Sequence, residues 1–94
     1  MSERTAASLA KLDELLPLLQ KLEKSSAQAG LLADAEALRR AVAAFHMEAI
    51  RFRMYSVDRD LAQIGDPPDI RAKFDQLRQT LETAGFHTRS HTAP

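Results

Sequence analysis

Residues 34–64 read DAEALRRAVAAFHMEAIRFRMYSVDRDLAQI and contain neither glycine nor proline. Apolar residues recur along it at the helical period of about 100° per residue. Because no helix-breaking residue interrupts this periodicity, the sequence predicts one long central helix over about residues 33–64.

Two apolar stripes run along this predicted helix, on roughly opposite sides. The first stripe consists of Leu38, Ala41, Val42, Phe45, Ala49 and Phe52. The second has alternating spacings of 4 and 3, as in a heptad repeat, and consists of Ala43, Met47, Ile50, Met54, Val57, Leu61 and Ile64. A helix at the edge of a monomeric bundle needs only one apolar stripe, so two opposed stripes predict packing partners on both sides.

The segments on either side also have helical periodicity. Upstream, a leucine stripe predicts a first helix over about residues 5–28, with a kink at Pro17 and Gly30 as the residue that follows the helix. Downstream, Gly65 ends the central helix, and Asp66 and Pro67 are suited to cap and begin a third helix over about residues 67–84. Phe86, which follows Gly85, is expected to fold back onto this helix.

These elements predict a single all-α domain over residues 1–94, with a flexible tail at about 87–94. Three helices form antiparallel hairpins around the long central one, with the first helix on its Phe45 and Phe52 side and the third on its Met47 and Ile50 side. Such a layer leaves apolar surface open, which oligomerisation would cover. The sequence therefore predicts a homo-oligomer, a dimer or a tetramer, whose candidate interface is Met47, Ile50, Met54, Val57 and Leu61.

Composition excludes several classes of function. The chain has 13 basic and 13 acidic residues, without the basic excess of a nucleic-acid binder or of a protein that binds anionic membranes. It has no cysteine, and it contains no glycine-rich phosphate loop and no plausible catalytic triad. We expect no cofactor, no metal site and no catalytic residue. The absence of a recognisable targeting or membrane-spanning segment leads us to expect a cytoplasmic protein.

One polar edge of the central helix is a candidate binding site for an anion or a small molecule. Arg39, His46, Arg53 and Asp60 follow one another at intervals of seven residues, and Tyr55 lies nearby. An imidazole between two guanidinium groups could bind an anion, with Asp60 orienting Arg53. The alternative, which charge patterns on helices more often indicate, is a structural edge whose charges pair with carboxylates. His87 and His91 could share a metal ion only if the tail were helical, which its composition disfavours.

From the sequence we expect a small soluble protein that self-associates and acts as a protein–protein interaction or regulatory module. The partner could also be another protein. The alternative is a ligand-binding helical bundle, or an enzyme whose site is built at a dimer interface from the polar edge. No family is recognised from the residues.

Overall fold

The computed structural model describes residues 3–86 of the chain, with side chains from Thr5 onward. The described residues form four helices and no strand: α1 (Glu3–Gln20), α2 (Ser26–Ala43), α3 (Met47–Gln63) and α4 (Pro68–Thr83). The predicted all-α class is confirmed, and the prediction of three helices is corrected to four. The predicted tail over residues 87–94, with His87 and His91, lies outside the described residues.

The predicted central helix is interrupted after Ala44. Phe45 adopts the left-handed backbone conformation, with φ of 59°. The amide of Phe45 donates to the carbonyl of Val42, and the amide of His46 donates to that of Ala41, both at 3.0 Å. This pair of bonds is a Schellman motif, which normally has glycine at the left-handed position. The motif ends α2, and the chain reverses into α3.

This reversal explains the two opposed apolar stripes. In α2 the buried side chains Leu38, Ala41 and Val42 come from the first stripe. In α3 the buried side chains Ile50, Met54, Val57 and Leu61 come from the second. Both sets face one core because the chain turns between them. The switch from one stripe to the other therefore marks a turn between two helices, where we had expected one helix with partners on both sides.

The first helix is shorter than predicted, and α2 starts earlier. α1 continues through Pro17 and ends at Gln20. Ser25 then caps α2, its Oγ accepting from the amide of Gln28 at 3.0 Å. The side chain of Gln28 is buried and donates from Nε2 to the carbonyl of Leu19 at 3.0 Å, which satisfies one of the free carbonyls at the end of α1. Gly30 thus lies inside α2 and does not terminate a helix.

The bounds of α4 agree with the prediction to within one residue at each end. Its N-cap is Pro67 rather than Asp66, and Pro68 is the first helical residue. At its C-terminus, Gly85 has a φ of 98°, and the amide of Phe86 donates to the carbonyl of Leu81 at 2.9 Å. Phe86 is 1% exposed and belongs to the core, so the expected fold-back onto α4 is confirmed.

The helices close around one apolar core to which all four contribute. α1 packs against both α2 and α4, and α2 packs against α3. α4 is linked to α3 by Arg71, whose Nη1 donates to Asp58 at 2.7 Å, and by Arg78, which donates to the other oxygen of Asp58 at 3.4 Å. The predicted open layer is therefore replaced by a bundle that buries its own core without a second chain.

Candidate functional site

His46, predicted as a titratable anion ligand, begins α3. Its Nδ1 accepts a hydrogen bond from the amide of Ala49 at 3.2 Å, so the imidazole caps the helix. This bond occupies the lone pair of Nδ1 and orients the ring along the first turn of α3. His46 thus has a structural role as the N-cap of α3.

Arg39 joins α2 to α1. Its Nε and Nη2 donate to the two carboxylate oxygens of Asp13 at 2.8 and 3.3 Å. The hydrogen bond from Arg39 lowers the pKa of the Asp13 carboxyl, and Asp13 in turn raises the pKa of the guanidinium. The bidentate pair neutralises Arg39, which leaves this side chain less charge with which to bind an anion.

Arg53 and Asp60, both on α3, lie near the carboxylate of Asp34 on α2. Arg53 Nη1 lies 3.2 Å from Asp34 Oδ1, and Arg59 Nη2 lies 3.2 Å from Asp60 Oδ1 and 4.0 Å from Asp34 Oδ2. Two arginines and two aspartates thus form a cluster between α2 and α3. Tyr55, the fifth residue of the predicted site, lies on the exposed side of α3.

Asp60 is the most perturbed carboxylate of this cluster. It is 8% exposed, and its Oδ2 is buried and accepts no hydrogen bond from any residue that the structure describes. Burial raises the pKa of Asp60, and the negative charge of the neighbouring Asp34 carboxylate raises it further. Arg59 opposes this rise by hydrogen bonding to the ionised form.

The five residues of the predicted ligand site therefore do not converge. Arg53 and Asp60 are connected through Asp34, whereas Arg39 contacts α1 and His46 caps α3. The arrangement agrees with the structural alternative, in which the charges of the edge pair with carboxylates.

Most residues of the predicted oligomer interface lie inside the single chain. Ile50, Met54, Val57 and Leu61 are at most 1% exposed and lie in the core of the single chain, whereas Met47 is 43% exposed. A dimer built on the four buried side chains would have to open the bundle. Any association of the folded chain must use other residues.

The exposed apolar side chains gather around the start and the outer side of α3. Phe45, Met47, Phe52 and Tyr55 are the large hydrophobic residues that remain exposed among those described, at 39%, 43%, 48% and 42%. Phe52 and Phe45 were expected to pack on the first helix, which the structure corrects. Exposed apolar groups gathered on one element are typical of a binding surface.

A second regularity lies within this exposed side. Glu48, Phe52, Tyr55 and Arg59 follow one another at spacings of 4, 3 and 4, and at about 100° per residue they fall within about 60° of arc. All four are exposed. We call these four residues the α3 outer face. The spacing is visible in the sequence, but sequence reasoning missed it because Phe52 had been assigned to a core stripe.

Other sites are poorly developed in the described part of the chain. A cleft of about 260 Å³ lies between the α1–α2 and α3–α4 connections, lined by Leu22, Glu23, Ser25, Gln28, Ile64 and Pro67. It is smaller than most ligand pockets, and Glu23 is its one ionisable lining residue. Residues 3–86 contain no group of three or more potential metal ligands.

Comparison with known proteins gives no relative: no family model, no curated protein and no solved structure matches the chain. Across the described helices, none is both long enough and apolar enough to span a bilayer. The functional assignment therefore depends on the geometry of the surface.

Proposed function

We propose that the protein is a small protein–protein interaction module and that the α3 outer face, flanked by Met47, is its binding surface. The observation that carries this proposal is the segregation of apolar side chains. The leucines, isoleucines and valines of the four helices are buried in the core or partly buried against it, yet two aromatic rings remain nearly half exposed on one side of α3. Tyrosine and phenylalanine are residue types that contribute strongly when an interface covers them.

The local geometry favours a ready-made surface. α3 is fixed at its N-terminus by the His46 cap and along its inner side by buried residues, so the exposed rings project from a rigid helix. The guanidinium of Arg53 lies 5.2 Å from the centre of the Phe52 ring, which limits the orientations of that ring. A partner would therefore need to order few side chains on binding, which lowers the entropic cost of association.

The ligand-binding alternative has less support, because Arg39 and Arg53 are each neutralised by a carboxylate. A regulatory role and a cytoplasmic location belong to the proposal, and cell fractionation tests the location.

Site-specific photo-cross-linking in living cells tests the proposed surface. A photoreactive phenylalanine analogue replaces Phe52, and as a matched control it replaces Ala10, which is exposed on α1. We expect a discrete protein adduct from position 52 and none from position 10. The absence of any adduct at position 52, or equal adducts at both positions, would contradict the proposal.

A further inference from the structure

The α3 outer face has an arrangement of charge that selects one kind of partner. It begins with the acidic Glu48, continues with the two aromatic residues, and ends with the basic Arg59. Glu48 and Arg59 are eleven residues apart, about 16 Å along a helix axis. The order acidic, aromatic, aromatic, basic is complementary to itself when it is read in the opposite direction.

We infer that the α3 outer face binds a second copy of this chain, with the two α3 helices antiparallel about a two-fold axis. This inference rests on the proposed function and names its partner. The axis passes between positions 53 and 54, which places Glu48 opposite Arg59 of the second copy and Phe52 opposite its Tyr55. Each contact occurs twice, as a two-fold interface requires.

The charges also disfavour the parallel arrangement. Parallel helices in register would bring the two copies of Glu48 together at one end and the two copies of Arg59 at the other, and like charges that face one another oppose association. Both side chains remain accessible although each has an internal partner. Glu48 is 76% exposed and lies 3.4 Å from Arg51, whereas Arg59 is 51% exposed beside Asp60.

The aromatic centre would provide most of the binding, and the charges would set orientation. Offset or edge-to-face packing of Phe52 on Tyr55 of the second copy would cover both rings twice. Exposed ion pairs contribute little affinity, but reversing one charge on each copy converts two attractive pairs into two repulsive ones. Charge reversal is therefore a sensitive probe of which residues face each other.

Sedimentation equilibrium of the purified chain tests the inference. The wild type should approach twice its mass of 10.4 kDa as the concentration rises through the micromolar range. Glu48→Arg should weaken dimerisation by about tenfold or more, because the introduced guanidinium would face Arg59 of the other copy. The control Glu36→Arg makes the same change on the exposed surface of α2 and should leave the dimerisation constant unchanged.

A complementary mixture gives the orientation. Arg59→Glu alone should also weaken dimerisation, whereas an equimolar mixture of Glu48→Arg and Arg59→Glu should recover a heterodimer with opposite charges facing at both ends. Circular dichroism checks that each variant folds, since Glu48 also stabilises the first turn of α3 and Arg59 contacts Asp34 and the buried Asp60. If Arg59→Glu does not fold, the comparison of Glu48→Arg with Glu36→Arg decides alone.

The possible failures are distinguishable. A monomeric wild type, or a Glu48→Arg variant that dimerises like the Glu36→Arg control, would overturn the inference. If the photoreactive group at position 52 then captures a different polypeptide in cells, the interaction function stands and only the identity of the partner is wrong. If it captures none, both fail.

Discussion

Replacing Phe45 separately by glycine and by alanine tests whether the helix is interrupted between α2 and α3. Both substitutions remove the same aromatic ring, which is 39% exposed and stacks edge-on against Phe86 with 5.1 Å between ring centres. Both variants should therefore be less stable than the wild type for the same reason. The difference between the two variants isolates the backbone conformation at this position.

The backbone conformation at position 45 determines which of the two variants is more stable. In the left-handed region an L-residue with a Cβ atom is disfavoured by about 1–2 kcal/mol. Glycine avoids this cost, but it loses about 0.5–1 kcal/mol more chain entropy on folding. At a φ of 59°, Phe45→Gly should thus be more stable than Phe45→Ala by about 0.5–1 kcal/mol. In a continuous helix the order would be reversed, with alanine ahead by about 1 kcal/mol.

Thermal and urea unfolding of the two variants measures this difference. For a domain of this size, 1 kcal/mol corresponds to about 4–8 °C in Tm. Gly30→Ala is the matched control, because position 30 is inside α2 and an added Cβ would meet nothing within 4 Å. That substitution should stabilise the protein by about 1 kcal/mol. If Phe45→Ala were more stable than Phe45→Gly, the interruption of the helix between α2 and α3 would be refuted.

Three further predictions concern the core, the buried carboxylate and the polar edge. Phe74→Ala should lower the free energy of unfolding by about 3–5 kcal/mol because Phe74 is fully buried. Phe52→Ala should lower the free energy of unfolding of the monomer by less than about 1 kcal/mol because Phe52 is exposed. Equal losses for the two variants in urea unfolding would show that Phe52 is buried. The raised pKa of Asp60 means that the folded state holds its proton more tightly than the unfolded state, so the contribution of Asp60 to stability falls as pH rises above 3.8. Asp60→Asn removes this titration, and its stability relative to the wild type should increase from pH 3.8 toward neutrality; a difference that does not vary with pH would contradict the raised pKa. Finally, millimolar phosphate should leave the Tm nearly unchanged because Arg39 and Arg53 are paired, and a rise in Tm that is lost in Arg53→Ala would restore the anion-site hypothesis.

The sequence predicted the helical class, and the bounds of α4 to within one residue, because those features depend on local signals. The α4 stripe has a regular period, a proline near its start and a glycine just beyond its end, and all three act within a few residues. The buried position of Phe86 follows from the same local geometry, since a left-handed Gly85 directs the next residue back onto the helix.

The break between α2 and α3 could not be predicted from residue preferences. Phenylalanine rarely adopts the left-handed conformation, and histidine is not among the preferred N-cap residues. The conformation at Phe45 is sustained by the core, which buries Leu38, Ala41 and Val42 of the first stripe together with most of the second stripe only if the chain turns between them. The sequence did contain a signal in the change of stripe near Ala43, which we interpreted as two faces of one helix.

The α3 outer face was not predicted from the sequence, for a related reason. With one continuous helix, Phe52 belongs to a core stripe, and the spacing of the α3 outer face has no separate meaning. Once the helix is divided, Phe52 and Tyr55 lie on the same exposed side. The ion pairs of Arg39 and Arg53 depend on Asp13 and Asp34 in neighbouring helices, which no pattern within the polar edge could identify.

Quenching of tyrosine fluorescence shows whether the α3 outer face is covered when the chain self-associates. Tyr55 is the only tyrosine of the chain, which has no tryptophan, so its emission reports on the α3 outer face without any substitution. Acrylamide quenching is measured from micromolar to millimolar protein, together with the mass by light scattering. Quenching should decrease as the mass doubles, because Tyr55 becomes covered by the second copy. A mass that doubles with unchanged quenching would show that another surface associates, and a mass that stays at 10.4 kDa would show that the chain does not self-associate.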